Sequence, residues 1–268
     1  MNPVPLEAHP EAQPEHELST GARPTGTADE QAAAANVQQM FDTIAPRYDL
    51  LNHLLSASLD RWWWLRAARV FRPILARPEA LVLDLCCGTG DMTLALLKHR
   101  PKAPTTTPDV APILAVDFSH NMLHRGAQKF APHNILPIEA DALHLPLADN
   151  SVDLVTSAFG FRNLANYEEG LAELHRVLRP GGQIGILDCN QPSGLTGAAY
   201  SLYFKKILPK LGGLISGDAG AYSYLPASVE RFPRPPRMKQ LIQNAGFQDA
   251  RWTSYTFGTA GLYQATKP

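Results

Sequence analysis

The chain has 268 residues, 45% hydrophobic and 18% charged, with a formal net charge of −1 and three cysteines. That length buries a core without disulfides or metals, and the near-neutral charge excludes a global basic field for nucleic acid. Two of the cysteines are the neighbours Cys86 and Cys87, which rules out a disulfide framework and fits a reducing, cytoplasmic setting. There is no apolar run of about 18 residues for a spanning helix, and the N-terminus lacks the basic start and apolar stretch of a secretory leader.

Residues 1–35 carry five prolines, eight alanines, no aromatic side chain, and six acids against one base, Arg23. Such a stretch buries too little apolar area to offset its ordering entropy. It is read as a disordered tail, running into the next helix at residues 32–35, with the folded domain at 36–268. In the folded part bases outnumber acids by 23 to 19, too small an excess to name a partner.

Residues 36–48 have helical periodicity, with Val37, Met40, Phe41 and Ile44 on one face. A second helix at 61–71 carries Trp62, Trp63 and Trp64, which cannot all face one side. The apolar run 81–85 precedes Cys86-Cys87-Gly88-Thr89-Gly90, and 91–99 reads as helix. Residues 101–112 hold four prolines and three threonines and form a loop. A strand at 113–116 ends at Asp117, a helix follows at 121–130, and a strand at 135–139 leads to Asp141. Then come a strand at 152–157, a helix at 168–178 and a strand at 183–187. A helix at 238–245 is stopped by Gly246, and strands near 250–255 and 261–266 close the chain. This alternation predicts an open, mostly parallel sheet with helices on both faces.

The loop from Asp84 to Gly90 joins a predicted strand to a predicted helix. Gly88 and Gly90 let backbone approach a ligand closely, and the helix start offers N–H groups to a carboxylate or phosphate. A dinucleotide fingerprint needs a third glycine where Thr93 stands, and Asp84 would repel a pyrophosphate. An acid there suits an ammonium group instead. Asp117 stands where ribose hydroxyls are met in such sheets, and Asp141 could meet an adenine amino group. Each acid alone could be a helix cap or turn residue. Three at successive strand ends point to a ligand with an amino-acid end, a ribose and a base, as in S-adenosylmethionine.

Asp84–Gly90 resembles the first motif of class I S-adenosylmethionine-dependent methyltransferases, and Leu178-Arg179-Pro180-Gly181-Gly182 resembles their turn before the fifth strand. Other stretches are similar to the menaquinone and ubiquinone C-methyltransferases: Phe41 to Asp49, Asn52 to Ser56, Ala140 to Pro146, Asp149 to Asp153, Phe159-Gly160-Phe161-Arg162-Asn163, Tyr224 to Ser228, and Ala245-Gly246-Phe247. The resemblance runs from about residue 37 to 267. The chain departs at Asp60 to Leu65, where the family often has His-Arg-x-Trp-Lys-Arg, and at Leu187-Asp188-Cys189, where it often has Leu-Glu-Phe. Ala158 stands where some relatives carry serine.

The resemblance implies a seven-stranded sheet, parallel except for the last strand, and C-methylation of a prenylated quinol such as demethylmenaquinol. It implies that Thr93, Asp117, Asp141 and Ala142 bind S-adenosylmethionine beside the loop residues Asp84, Gly88 and Gly90. Arg162, with Asn163 beside it, is the expected cation that stabilises the quinolate oxygen or orients a water, with Tyr48 or Asp49 in a proton relay; alternatively Arg162 and Asn163 cap the turn that follows. Other readings are a methyltransferase of the same fold acting on a ubiquinone precursor or another small molecule, or a silent cofactor-binding scaffold. His120 and His124, four apart on a helix, lack a third ligand, so no metal is expected. Residues 195–215 interleave apolar side chains with Lys205, Lys206 and Lys210. That pattern suits a peripheral helix at the inner face of the membrane or a lid over a prenyl tail, and equally a core helix. Oligomeric state and substrate ring are not legible.

Overall fold

The structure, a computed structural model, describes residues 21–48, 56, 58–101, 110–192 and 219–268. Residues 1–20, Asp49, most of the proline-rich loop and the 195–215 stretch lie outside the described residues.

Helices α1 (Glu30–Ile44), α2 (Leu59–Val70) and α3 (Arg72–Leu75) lead into β1 (Val82–Leu85). Next come α4 (Asp91–Leu97), β2 (Ile113–Asp117), α5 (His120–Phe130), β3 (Ile135–Glu139) and β4 (Val152–Ala158). After β4 stand α6 (Tyr167–Val177), β5 (Leu178–Cys189), α7 (Ala219–Arg231), α8 (Pro235–Asn244), β6 (Gln248–Tyr255) and β7 (Ala260–Thr266). The seven strands lie in the order β3-β2-β1-β4-β5-β7-β6. All pair in parallel except β7, antiparallel to both β5 and β6, as the resemblance implied.

Central strands read as unbroken apolar runs because both faces are covered. All of β1 and β2 is buried. Leu83 and Leu85 face the core under α6 and α8, and Val82 faces the one under α2, α4 and α5, as the two-residue strand period requires. Chain order reverses between β1 and β4, so their carboxyl ends open the crevice where such sheets bind ligands.

Local chemistry sets the helix starts. Asp29, Ser119 and Asn166 cap α1, α5 and α6 through side-chain oxygens that accept the N–H of Ala32, Met122 and Glu169, each satisfying an amide with no partner inside its helix. α8 opens on Pro235, whose ring pre-sets the helical φ. The Arg179-Pro180-Gly181-Gly182 turn differs from expectation: it belongs to β5, whose register against β4 slips between Val152 and Leu154. Gly181, at φ +79°, takes up the bulge.

The tail boundary also moves. Residues 21–35, assigned by composition to the tail, include most of α1's first half and a strap in front of it. Ala22 N–H donates to the Leu164 carbonyl at 2.7 Å. The Arg23 guanidinium donates to the Ala165 carbonyl at 2.7 Å and to Glu30 Oε1 at 3.0 Å. A side chain at Gly21 would put its Cβ 1.9 Å from the Ala165 oxygen. The segment's one base is its clamp, so the ordered domain starts well before residue 36.

Arg23→Ala removes charged hydrogen bonds contributing about 1–2 kcal/mol. The thermal midpoint of the full chain should fall by about 2–6 °C. Thermal unfolding with an unchanged midpoint would refute the clamp.

Candidate active site

The crevice at the carboxyl ends of β1, β2 and β4 holds a cleft of about 700 Å³ including its open mouth. α1 closes one side. Gln38 Nε2 donates to the Phe118 carbonyl at 2.7 Å. Asp42 Oδ1 accepts from Ser119 Oγ at 2.5 Å and from the Asn121 N–H at 3.3 Å. A carboxylate at the N-terminus of α5 is stabilised by that helix's free amides and dipole.

The floor is the loop after β1. Cys86, Gly88 and Gly90 take φ values of +53°, +55° and +89°. Gly88 lines the cleft, with the Tyr48 ring over it. Gly90 has a different reason: a Cβ there would lie 2.1 Å from the Phe130 ring, so it lets α4 and α5 pack closely. At Gly160 a Cβ would come within 2.3 Å of Cys86 Cβ, which brings the ends of β1 and β4 together. Burial, then Asp117, pushes the Cys86 and Cys87 thiols up. They stay protonated packing groups, not nucleophiles.

Asp117 binds the loop to β2. Its Oδ2 accepts the Gly88 N–H at 2.8 Å and its Oδ1 the Ser119 N–H at 2.9 Å. Burial pushes its pKa up to about 6, against the pull of those amides. Each oxygen keeps a further lone pair, and the residue lines the cleft. Asp141 lines it too, its Oδ1 accepting the Leu143 N–H at 2.9 Å. The loop after Asp141 is held from outside: Arg176 donates to the carbonyls of Leu145 and Leu147, and Glu173 accepts the Leu145 N–H. Phe118, Met122, Ala142 and Leu143 supply an apolar wall suited to a flat base. Phe118 and Met122 escaped sequence reasoning, although both lie within five residues of Asp117.

Asp84 and Thr93 stand beneath the loop and do not line the cleft. Asp84 is fully buried and accepts from Thr93 Oγ1 at 2.6 Å and Thr156 Oγ1 at 2.9 Å. Burial raises its pKa to about 7, outweighing the two hydroxyls.

The opposite wall is Phe159, Gly160 and Asn163 after β4, with Tyr48 nearby. Tyr224 Oη donates to Asn163 Oδ1 at 3.0 Å, and Asn163 Nδ2 donates to the Phe159 carbonyl at 3.5 Å, which leaves the second Nδ2 hydrogen as a donor. Arg162 points away. Its Nη1 donates to Asp188 Oδ1 at 2.9 Å and to the Phe159 carbonyl, and its backbone N–H donates to Asp188 Oδ2 at 3.0 Å. Burial disfavours the guanidinium charge, but Asp188 overrides it and raises the Arg162 pKa. Tyr48, Gly88, Asp117, Asp141, Ala142 and Asn163 therefore meet at the cleft, while Asp84, Gly90, Thr93 and Arg162 stand behind it. His120 and His124 stack 6.4 Å apart, and His120 meets Glu139 at 2.8 Å.

Residues 27–267 match the ubiE/COQ5 methyltransferase family. A demethylmenaquinone methyltransferase of Deinococcus radiodurans is 45% identical over 242 residues, covering 89% of this chain and 95% of that protein. One from Thermus thermophilus is 44% identical, covering 85% and 100%. A ubiquinone/menaquinone biosynthesis C-methyltransferase of Geobacter sulfurreducens is 41% identical, covering 86% and 88%. In fold, the chain is similar to crystal structures of S-adenosylmethionine-dependent methyltransferases from Thermotoga maritima and Aquifex aeolicus. Their TM-scores are 0.59 and 0.54, at 16% and 19% identity, covering 87% and 75% of this chain and 100% and 89% of those.

Asp84 predicts a pH dependence. Its folded pKa exceeds its unfolded value, so the native state holds the proton more tightly. The resulting stability is full below about pH 4 and is lost as pH rises through about 7. Asp84→Asn, which cannot ionise, should gain thermal stability relative to the ligand-free wild type between pH 5 and pH 8, by melting curves at both. A difference that does not change with pH would contradict the buried-acid assignment.

Proposed function

This chain belongs to the ubiE/COQ5 methyltransferase family, and from that premise we propose that it methylates a ring carbon of demethylmenaquinol. It is an S-adenosylmethionine-dependent methyltransferase. The observation that carries the reading is the cleft's two-sided chemistry: strand-end carboxylates and a flat apolar wall on one side, an oriented amide and aromatic rings on the other. The first side fits S-adenosylmethionine: Asp117 accepts the ribose hydroxyls, and Asp141 with Ala142 meets the adenine against Phe118 and Met122. The loop from Gly88, braced from below by Asp84 and Thr93, takes the amino-acid end.

S-adenosylmethionine supplies a methyl already activated by its sulfonium, so the chain supplies geometry and charge, not a nucleophile of its own. Its residues must hold the quinol ring carbon in line and favour the quinolate. Asn163 Nδ2 donates to the quinolate oxygen, its amide held by Tyr224. Tyr48 and Phe159 bracket the ring. Arg162 is a positioning residue: it neutralises Asp188 and fixes the Phe159 carbonyl and the turn that carries Asn163. It acts on the reaction only by setting the position of that turn.

The direct experiment is transfer of labelled methyl from S-adenosylmethionine to demethylmenaquinol beside a benzoquinol precursor of ubiquinone. Preference for the naphthoquinol is expected. Equal or reversed preference would favour the broader activity in the name of the Geobacter relative, and no transfer to either would overturn the proposal.

Asp117→Ala should weaken S-adenosylmethionine binding by about tenfold to a hundredfold, as calorimetry reads; unchanged affinity in a folded variant would sink the ribose assignment. Asn163 and Arg162 should separate in kind. Asn163→Ala should keep its thermal midpoint and lose about a hundredfold to a thousandfold in kcat. Arg162→Ala leaves a buried carboxylate unpaired and should cost about 3–5 kcal/mol of stability. An Arg162→Ala variant of normal stability but dead in single turnover would return the catalytic role to the guanidinium.

A further inference from the structure

The outward face of α2 presents Leu59, Trp62, Leu65 and Val70 to solvent, each 40–47% exposed. Positions three and four apart share a helix face, and here Arg61, Arg66 and Arg69 lie among them while Asp60 is buried. Arg66 lies over the rings of Trp62 and Tyr255, 5.0 and 4.6 Å from their centroids; Tyr255 is buried, and Trp62 stays open to solvent. Just past Tyr255, Thr256 and Phe257 have φ values of +43° and +56°. A bulky side chain in that region is an energetic outlier. The strained turn holds Phe257 out, 83% exposed, the most exposed large apolar side chain among the described residues.

A basic cleft adjoins this face where α2 ends. Arg69, Arg72, Lys98 and His99 line it. Arg100 also borders it, but its guanidinium turns inward to the carbonyls of Arg77, Pro78 and Ala111. Burial, then Arg72, Arg69 and Lys98, lowers the His99 pKa, so these cations crowd one spot. The face also borders the reaction cleft. The Trp63 ring lies 5.7 Å from that of Phe159, which lines the cleft, and Trp63 Nε1 donates to Thr256 Oγ1 at 2.8 Å.

We propose that α2, the Phe257 turn and the adjoining basic cleft form a docking surface for an anionic lipid bilayer. Exposed aromatic and aliphatic side chains ringed by arginines match a membrane interface, where rings sit at headgroup depth and cations meet lipid phosphates. No helix among the described residues is long and apolar enough to cross a membrane, so this contact is at the surface. It rests on the quinol reading for its purpose: a prenylated quinol dissolved in the bilayer would reach the wall at Phe159 without crossing water.

The test is co-sedimentation of the full chain with phosphatidylcholine vesicles, with and without phosphatidylglycerol. Wild type should bind the anionic vesicles preferentially, and salt should weaken that binding. Arg69→Gln/Arg72→Gln should bind them at least about tenfold more weakly, and Trp62→Ser/Phe257→Asn should lose binding at low salt too. Asparagine tolerates the positive φ, so Phe257→Asn alone keeps the test if Trp62→Ser fails to fold. Indifference to phosphatidylglycerol, or wild-type binding by both double variants, overturns the proposal. So does a wild-type dimer that Trp62→Ser/Phe257→Asn dissociates in gel filtration, since a second copy then covers the face. Methyl transfer to a tailless quinol in vesicle-free buffer separates the two readings. Wild-type rates in both variants are expected, and a loss there overturns docking. If the wild type methylates no quinol, the proposed function fails while the vesicle result stands.

Discussion

Asp117 ends β2 with both carboxylate oxygens engaged, one on the Gly88 N–H and one on the Ser119 N–H. This one side chain ties the loop after β1 to the start of α5. Ser119 then passes the tie to Asp42 and so to α1. The floor and one side of the cleft thus share a single anchor. Backbone amides are good anchors because they cannot rotate away, and a carboxylate accepts them strongly. The same carboxylate keeps lone pairs toward the cleft, so holding the loop and holding a ligand are compatible.

Three acids lie deep in this end of the sheet, and each meets its burial differently. Asp84 is met mainly by the hydroxyls of Thr93 and Thr156, with a smaller contribution from the Thr93 backbone, so burial dominates and its pKa climbs to about 7. Asp117 has amides, and its rise stops at about 6. Asp188 has a full cation in Arg162 together with the backbone N–H groups of Arg162 and Cys189. Desolvating a charge is costly unless it is paired and hydrogen-bonded, and that pairing fixes where Arg162 points. A cation expected at the substrate is committed one layer back, and the neutral Asn163 takes the exposed position.

Legibility in the sequence followed range along the chain. Asp84 and Asp117 could be read because the parallel central strands β1 and β2 are apolar runs in which a lone acid stands out near the carboxyl end; Asp141 follows the edge strand β3 and was read from its place in the strand alternation. The number of strands and the one antiparallel strand followed from the resemblance, while the strand order came from the structure. The Arg162–Asp188 pair, 26 residues apart, has no local signature, so Arg162 alone suggested a free cation. Gly90 suggested ligand approach, since its clash with Phe130 exists only after α5 packs. The strap at residues 21–30 was hidden by averaging: alanines, prolines and acids outvote one arginine whose partners lie far along the chain.

That distance has a temporal side. Arg23 and the Ala165 carbonyl it grips are 142 residues apart. At the pace of ribosomal synthesis, Ala165 emerges roughly 10–30 s after Arg23. Through that interval the strap lacks its distant acceptors, the Leu164 and Ala165 carbonyls, and it can close on them only once β4 and the turn beyond it exist. α1, which follows the strap and walls the cleft, has its own polar partners at Phe118, Ser119 and Asn121, so they are made before those of the strap. The turn that receives the strap is nevertheless complete before β5, β6 and β7 are made, so the N-terminal side of the cleft can be fastened while the far half of the sheet is still to come.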